Sequence, residues 1–175
     1  MLTKTAITGA VMQMVSHGVM TALFFAVIGM IYERTHTRQV DEMGGLLKVT
    51  PFISTVLFIV GLCSLGLPGL SGFVAEMTIF VGSWQNTDAF HRIATIIACM
   101  SIVVTAVYIL RAIGKVAMGP LKEGYEGITD ATWNERMAAI ILVAGILAIG
   151  LAPFWLNNLV SPAAEIIMQK ISTVK

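Results

Sequence analysis

Charged side chains are scarce in this chain of 175 residues: Asp, Glu, Lys and Arg make up 12% of it, against 57% hydrophobic residues. Soluble domains carry about 25% charged residues, so this chain has roughly half of the charged material that a globular domain in water has. The net charge of +1 argues against a nucleic-acid-binding surface, and the apolar content excludes a disordered segment. Together with a mean hydropathy of +0.85, the composition indicates a membrane protein.

Cysteine is also rare. The two cysteines, Cys63 and Cys99, both lie inside apolar stretches and are too few for a disulfide framework or a cysteine-rich metal site. The sequence has no CxxC motif, no glycine-rich phosphate loop after a strand and no cluster of metal ligands. We therefore predict no metal and no redox cofactor bound by this chain. Residues 1–9 lack the pattern of a cleavable signal peptide, and we expect none.

Several apolar stretches are long enough to cross a bilayer, which takes about 20 helical residues. The predicted spans are residues 6–32, 51–84, 93–113 and 137–153. Glycine and proline at 66–69 and Gly72 interrupt the second span, which predicts a discontinuous helix. Residues 161–174 place isoleucines near helical spacing opposite Glu165 and Lys170, typical of an amphipathic segment at the interface or against a partner. The predicted fold class is an all-α membrane protein with four transmembrane helices and this C-terminal segment.

Basic residues predict the orientation of the spans. One side of the membrane receives seven of them: Arg34, Arg38, Lys48, Arg111, Lys115, Lys122 and Arg136. The other side receives four: Lys4, Arg92, Lys170 and Lys175. The positive-inside rule places the loops 33–48 and 115–136 in the cytoplasm and both termini outside. The expected location is a bacterial inner membrane. The alternating charges of residues 33–38 fit either a binding motif or, as we favour, a solvated membrane face.

The interruption at 65–72 is the first candidate site. Pro68 lacks a backbone donor and clashes with the preceding turn, and the nearby glycines allow the chain to bend. A broken helix at membrane depth must be buried in protein or line a wet cavity. Two interpretations stay open: a discontinuous helix that binds ions or orders water, as in transporters, and a simple proline kink.

Glu76 and His17 lie well inside the predicted spans, whereas Arg111 lies near the end of the third. An ionised Glu76 in lipid would cost at least a few kcal/mol, so this carboxyl is expected to face the protein interior or to be held neutral. His17, near the middle of the first span, belongs to the residue type that gains and loses a proton near neutral pH. We predict that Glu76 and His17 transfer protons, with Ser71 and Tyr108 as supports of a water path. The alternatives are a permanently protonated Glu76 and a His17 that only joins helices.

Three segments resemble a known family. They are QMVSHG at 13–18, YERTHTR at 32–38 and LPGLSGFVAE at 67–76, and YILR at 108–111 followed by Gly119-Pro120 fits as well. The sequence is similar to the M subunit of NADH-quinone oxidoreductase, the mitochondrial chain 4 of complex I, over about the last third of a family member. The YERTHTR segment is specific to the M subunit, whereas the SHG and LPG-to-Glu elements are shared among antiporter-like proteins.

The resemblance implies roles for two residues. His17 would be the proton-transferring histidine of the family's eleventh helix, and Glu76 the terminal glutamate on its broken twelfth helix. The family's intramembrane glutamate and lysines of earlier helices have no counterpart in this sequence. The chain is therefore expected to carry only the exit half of a proton path, as a fragment, a split subunit or a remnant.

The resemblance also implies a multisubunit context. The chain would be part of a translocating oxidoreductase, with NADH, FMN, iron–sulfur clusters and quinone bound by partner subunits. It would contact other membrane subunits and lipid but no nucleic acid. The alternatives are a subunit of a multisubunit sodium/proton antiporter, a subunit of a membrane-bound hydrogenase, and a structural membrane module.

Overall fold

The structure, a computed structural model, describes residues 3–173. Six α-helices form this part of the chain: α1 (Lys4–Thr35), α2 (Pro51–Ser64), α3 (Ser71–Trp84), α4 (Ala89–Ala117), α5 (Trp133–Leu151) and α6 (Phe154–Thr173). Two short 3₁₀ turns, Val40–Glu42 and Leu46–Lys48, lie between α1 and α2. The all-α prediction is confirmed. Val174, the predicted end of the amphipathic segment, and Lys175, counted among the basic residues, lie outside the described residues.

Three of the helices, α1, α4 and α5, are long and apolar enough to cross a membrane. The second predicted span is divided into α2 and α3, of 14 residues each, as the glycines and proline between them indicated. The chain is an integral membrane protein with a discontinuous helix.

Side-chain caps fix several helix ends. The Thr3 hydroxyl accepts a hydrogen bond from the amide of Ala6 at the start of α1, and Asp88 caps α4 by accepting from the amide of His91. The first turn of α2 is capped from a distant loop, because the amides of Phe52 and Ile53 donate to the Asp130 carboxylate. These caps satisfy amides that a helix start leaves without partners.

Helix α1 is the central element and contacts α2, α3, α5 and α6. Its partner α3 runs antiparallel to it at close range: a Cβ on Gly9 would lie 2.8 Å from the amide nitrogen of Ile79, and a Cβ on Gly82 would collide with the backbone of Ala6. Small residues allow membrane helices to approach in this way. The contact fixes the register between α1 and α3.

Helix α6 differs from the prediction in extent. The predicted amphipathic segment begins at residue 161, whereas the helix begins at Phe154. Pro153, immediately before it, has no backbone N–H and cannot continue α5. It runs antiparallel to the first half of α1, where Leu156 joins Met12 in a buried cluster and Glu165 forms an ion pair with Lys4. The first half of α6 therefore packs on this chain's own bundle.

The loops at the other end of α1 are joined by charge pairs. Arg34, predicted to lie on a solvated face, is only 10% exposed at its side chain and forms an ion pair with Glu135. Its guanidinium donates 3.0 Å and 2.7 Å hydrogen bonds to the two carboxylate oxygens. A 2.6 Å hydrogen bond from the Lys115 ammonium holds the pKa of the Asp41 carboxyl below its usual range. The Lys122 ammonium also donates to the Asp41 backbone carbonyl, which fixes the loops 36–50 and 118–132 to each other.

Candidate functional site

The break between α2 and α3 is a compact turn. Gly66 and Gly69 adopt positive φ values of +65° and +92°, which side-chain-bearing residues rarely adopt. The amides of Leu65 and Gly66 donate to the carbonyls of Leu62 and Cys63. Part of the backbone that the end of α2 leaves without helical partners is therefore satisfied inside the break.

Glu76 lies directly beside this turn. Its carboxylate packs against Gly66 so closely that a Cβ there would collide with Oε2 and lie 3.3 Å from Cδ. Gly72, one helical turn before Glu76, packs equally closely against the end of α2: a Cβ added there would lie 2.5 Å from the carbonyl oxygen of Cys63. Gly66 thus leaves the space that the half-buried carboxyl occupies, and Gly72 lets α3 approach the end of α2. Glu76 has no hydrogen bond or ion pair to another side chain among residues 3–173.

A buried hydroxyl pair joins α1 to α3 beside the break. Ser16 donates to Ser71 at 2.8 Å, and the Ser71 hydroxyl also lies 3.5 Å from the Cys63 thiol. Ser71 was predicted as a water-path support, and the structure places it in a polar contact between helices. Sequence alone offers no reason to prefer its partner Ser16 over the other hydroxyl-bearing residues of the spans.

Gln13 is a polar residue that sequence reasoning did not single out. Its Oε1 is buried and has no hydrogen-bond partner in the described part of the chain. Since Gly9 lies opposite Ile79 and Ser16 opposite Ser71, the antiparallel register puts Gln13 at the level of Val74 and Ala75, immediately before Glu76 in the sequence. The sequence signals for this residue are its place in the QMVSHG segment and its spacing of one helical turn from His17 on α1.

The other two predicted residues point away from the break. His17 is exposed on α1, on an outward stripe with Met14 and Phe25, which are 74% and 70% exposed. Tyr108 on α4 is 57% exposed. The structure brings Ser71 close to the break next to Glu76, and it shows no hydrogen bond between His17 and Glu76 in the region it describes. Within that region no group of three or more His, Cys, Asp or Glu side chains is arranged to hold a metal ion.

The arrangement defines a class: a membrane helix bundle in which a carboxyl group lies beside a broken helix. Residues 1–102 match the family described as NADH:quinone oxidoreductase/Mrp antiporter, TM. The chain belongs to this family.

Curated relatives and solved structures agree with this assignment. The chain is 33% identical to "NAD(P)H-quinone oxidoreductase chain 4 2" of Synechococcus sp. (strain JA-3-3Ab), over 99% of this chain and 34% of the relative. Respiratory complex I from Thermus thermophilus contains a chain with a TM-score of 0.81 and 27% identity, over 94% of this chain and 35% of that one. The Mrp complex from Dietzia sp. DQ12-45-1b contains a chain with a TM-score of 0.82 and 18% identity, over 93% of this chain and 38% of that one. The resemblance to chain 4 is confirmed, and the fold is shared with an Mrp complex.

The chain spans about a third of the length of the curated relatives that it matches. The similarity therefore concerns one part of a longer type of subunit.

Proposed function

We propose that this chain is part of a membrane subunit of a proton-pumping NADH-quinone oxidoreductase, in which Glu76 takes up and releases a proton beside the broken helix. The observation that carries the proposal is the Glu76 carboxylate packed against Gly66 at the break. A carboxyl group inside a membrane protein and without a paired cation is expensive to keep charged, so its protonation responds to nearby changes in charge. The relatives named as chain 4 support the choice of complex.

His17 supplies the proton in this proposal. An imidazolium at residue 17 releases its proton to ordered water, and the Glu76 carboxylate gains one at the other end of the water chain. The Ser16–Ser71 hydrogen bond joins the helix that carries His17 to the helix that carries Glu76. His17 faces outward on α1, so the bridging water has to pass beside the neighbouring Ser16. The Ser16 and Ser71 hydroxyls and the buried Gln13 oxygen are the groups that can hold this water.

The exposed stripe around His17 is the proposed contact with the rest of the complex. Other membrane subunits or further helices would cover Met14 and Phe25 and deliver the proton to the imidazole. NADH, FMN, iron–sulfur clusters and quinone would be bound by partner subunits. Charge changes caused by quinone reduction would reach Glu76 through the low dielectric of the bundle. The proposed setting is a bacterial inner membrane, with the loops 33–48 and 115–136 in the cytoplasm and the termini outside.

The test is Glu76→Gln in the assembled, membrane-reconstituted complex. This variant keeps size and hydrogen bonding but cannot ionise. We expect fewer than half as many protons translocated per NADH oxidised, with the complex assembled. Glu126→Gln, the same change at an exposed loop residue, is the matched control and should pump normally. Normal pumping by assembled Glu76→Gln would overturn the proposal.

His17→Ala is expected to reduce pumping less than Glu76→Gln, because a water can fill the vacated space. Failed assembly with normal pumping per complex would identify His17 as a packing residue instead. Isolation of the chain with a cation antiporter that lacks quinone reductase activity would assign it to the Mrp branch of the family.

A further inference from the structure

An apolar cavity of about 270 Å³ lies near the end of α1, between α1, α2 and α4. Its walls are largely aliphatic and aromatic: Phe24, Ile28, Ile31, Leu57, Ile113 and Val116. From Phe24 to Tyr32 the cavity follows α1 for eight residues, about 12 Å at ~1.5 Å per residue. The volume approaches the ~300 Å³ at which small-molecule sites begin.

One end of this cavity carries a cation. Arg38, in the loop that follows α1, lines the cavity together with Thr37. The guanidinium carbon of Arg38 lies 4.8 Å from the ring centroid of Tyr32, another lining residue. This cation–π contact holds the positive group at the end of the cavity next to the C-terminal end of α1.

Arg38 differs from its basic neighbours in its pairing. Arg34, Lys115 and Arg136 each form an ion pair, with Glu135, Asp41 and Asp130 respectively. Arg38 forms none within the described 171 residues from 3 to 173. A positive group that lies at one end of an apolar cavity and lacks a carboxylate partner can bind an anion that carries an apolar tail.

Two further basic side chains near this end are held by Asp41. The Lys115 ammonium pairs with the Asp41 carboxylate, and the Lys122 ammonium donates to the Asp41 backbone carbonyl. The Glu42 carboxylate accepts a hydrogen bond from the Thr37 hydroxyl and forms no ion pair with Arg38 in the described part of the chain, so the guanidinium is available to an external anion.

We propose that this cavity binds one acyl chain of an anionic phospholipid from the surrounding bilayer, with the lipid phosphate on Arg38. The planar guanidinium can donate two parallel hydrogen bonds to phosphate oxygens, a geometry that lysine cannot provide. The aliphatic walls along Ile28 and Ile31 cover the acyl chain of the lipid. The site is independent of proton transfer at Glu76.

The probes for the test are phosphatidylglycerol and phosphatidylcholine that carry a diazirine in the acyl chain. Each is added to the complex in phosphatidylcholine nanodiscs, and adducts are mapped by peptide mass spectrometry after irradiation. We expect several-fold more adducts on residues 24–31 and 112–116 with the phosphatidylglycerol probe than with the phosphatidylcholine probe.

Two variants isolate the charge. Arg38→Gln should reduce the labelling ratio of the two probes to about one. Arg111→Gln removes an exposed arginine of α4 that does not line the cavity, and it should leave the ratio unchanged. A third variant, Ala112→Leu, fills the cavity and should reduce labelling by both probes. If Ala112→Leu does not fold, the two arginine variants still decide the question.

A labelling ratio of about one between the two probes in the unaltered complex would overturn the proposal. An unchanged ratio in Arg38→Gln would also overturn it. Absence of lipid adducts, with a helix of another subunit cross-linked to the cavity walls, would also overturn it and assign the cavity to a protein partner.

Discussion

The backbone of Gly150 packs directly against the carbonyl group of Gly69, so the end of α5 lies on the break between α2 and α3. A Cβ on Gly150 would lie 2.6 Å from the carbonyl carbons of Gly69 and Leu70. Helix α5 ends one residue later, at Leu151, and α6 starts at Phe154. Two interruptions of helical backbone therefore lie side by side in the bundle. Each shields backbone groups of the other from lipid, which cannot satisfy them.

Gly150→Ala should destabilise the chain although glycine is the weaker helix former. A glycine-to-alanine change inside a helix contributes about 1 kcal/mol of stability on propensity alone. At Gly150 the added methyl group must displace the Gly69 carbonyl, and we expect the cost of this displacement to exceed the gain in helix propensity. The thermal unfolding midpoint should therefore fall. Gly145→Ala on the same helix is the control, since its Cβ would lie at an ordinary 3.5 Å from Val19 Cγ1. A midpoint for Gly150→Ala as high as that of Gly145→Ala would contradict this account.

Gly66→Ala should disturb proton translocation through the position of Glu76. The substitution adds backbone strain of about 1–2 kcal/mol at a left-handed residue and drives a methyl group into the carboxylate. Gly124→Ala carries the same kind of strain, at φ +93°, with nothing within 4 Å of the new Cβ. We expect the protons pumped per NADH to fall in the first variant and to stay normal in the second. Equal effects would show that strain, and not contact with Glu76, matters at the break.

Local patterns were sufficient to predict most of the architecture. Apolar length and the glycines and proline at 66–69 are signals within a few residues, so the spans and the discontinuous helix followed from the sequence. The start of α6 did not, because Asn157, Asn158 and Pro162 hide the helical continuity of residues 154–161. Only packing of Leu156 and Val160 against Met12 shows that this stretch belongs to the bundle.

Contacts between distant segments could not be predicted in the same way. Glu76 was recognisable as a candidate because a carboxyl inside a span is costly, but nothing in the sequence places it on Gly66. The Ser16–Ser71 bond joins residues 55 apart, and its existence depends on the register of α1 against α3. Arg34 was assigned to a solvated face because its neighbours alternate in charge, whereas its partner Glu135 lies 101 residues away.

Arg34 should be the least replaceable of the basic residues at its end of the bundle. Its five donated hydrogen bonds reach both oxygens of Glu135 and the carbonyls of Met30, Thr129 and Asp130, which uses every N–H of the guanidinium. Lysine has three donors and no planar fork, so Arg34→Lys should lower the free energy of unfolding by about 2 kcal/mol, less than the ~3–5 kcal/mol for breaking a fully buried pair. The measurement is unfolding of the full chain in detergent by titration with a denaturing detergent. Arg111→Lys, at an exposed position, should stay within about 0.5 kcal/mol of the unaltered chain. If Arg34→Lys were equally stable, the ion pair with Glu135 would be a surface contact with no part in joining α1 to α5.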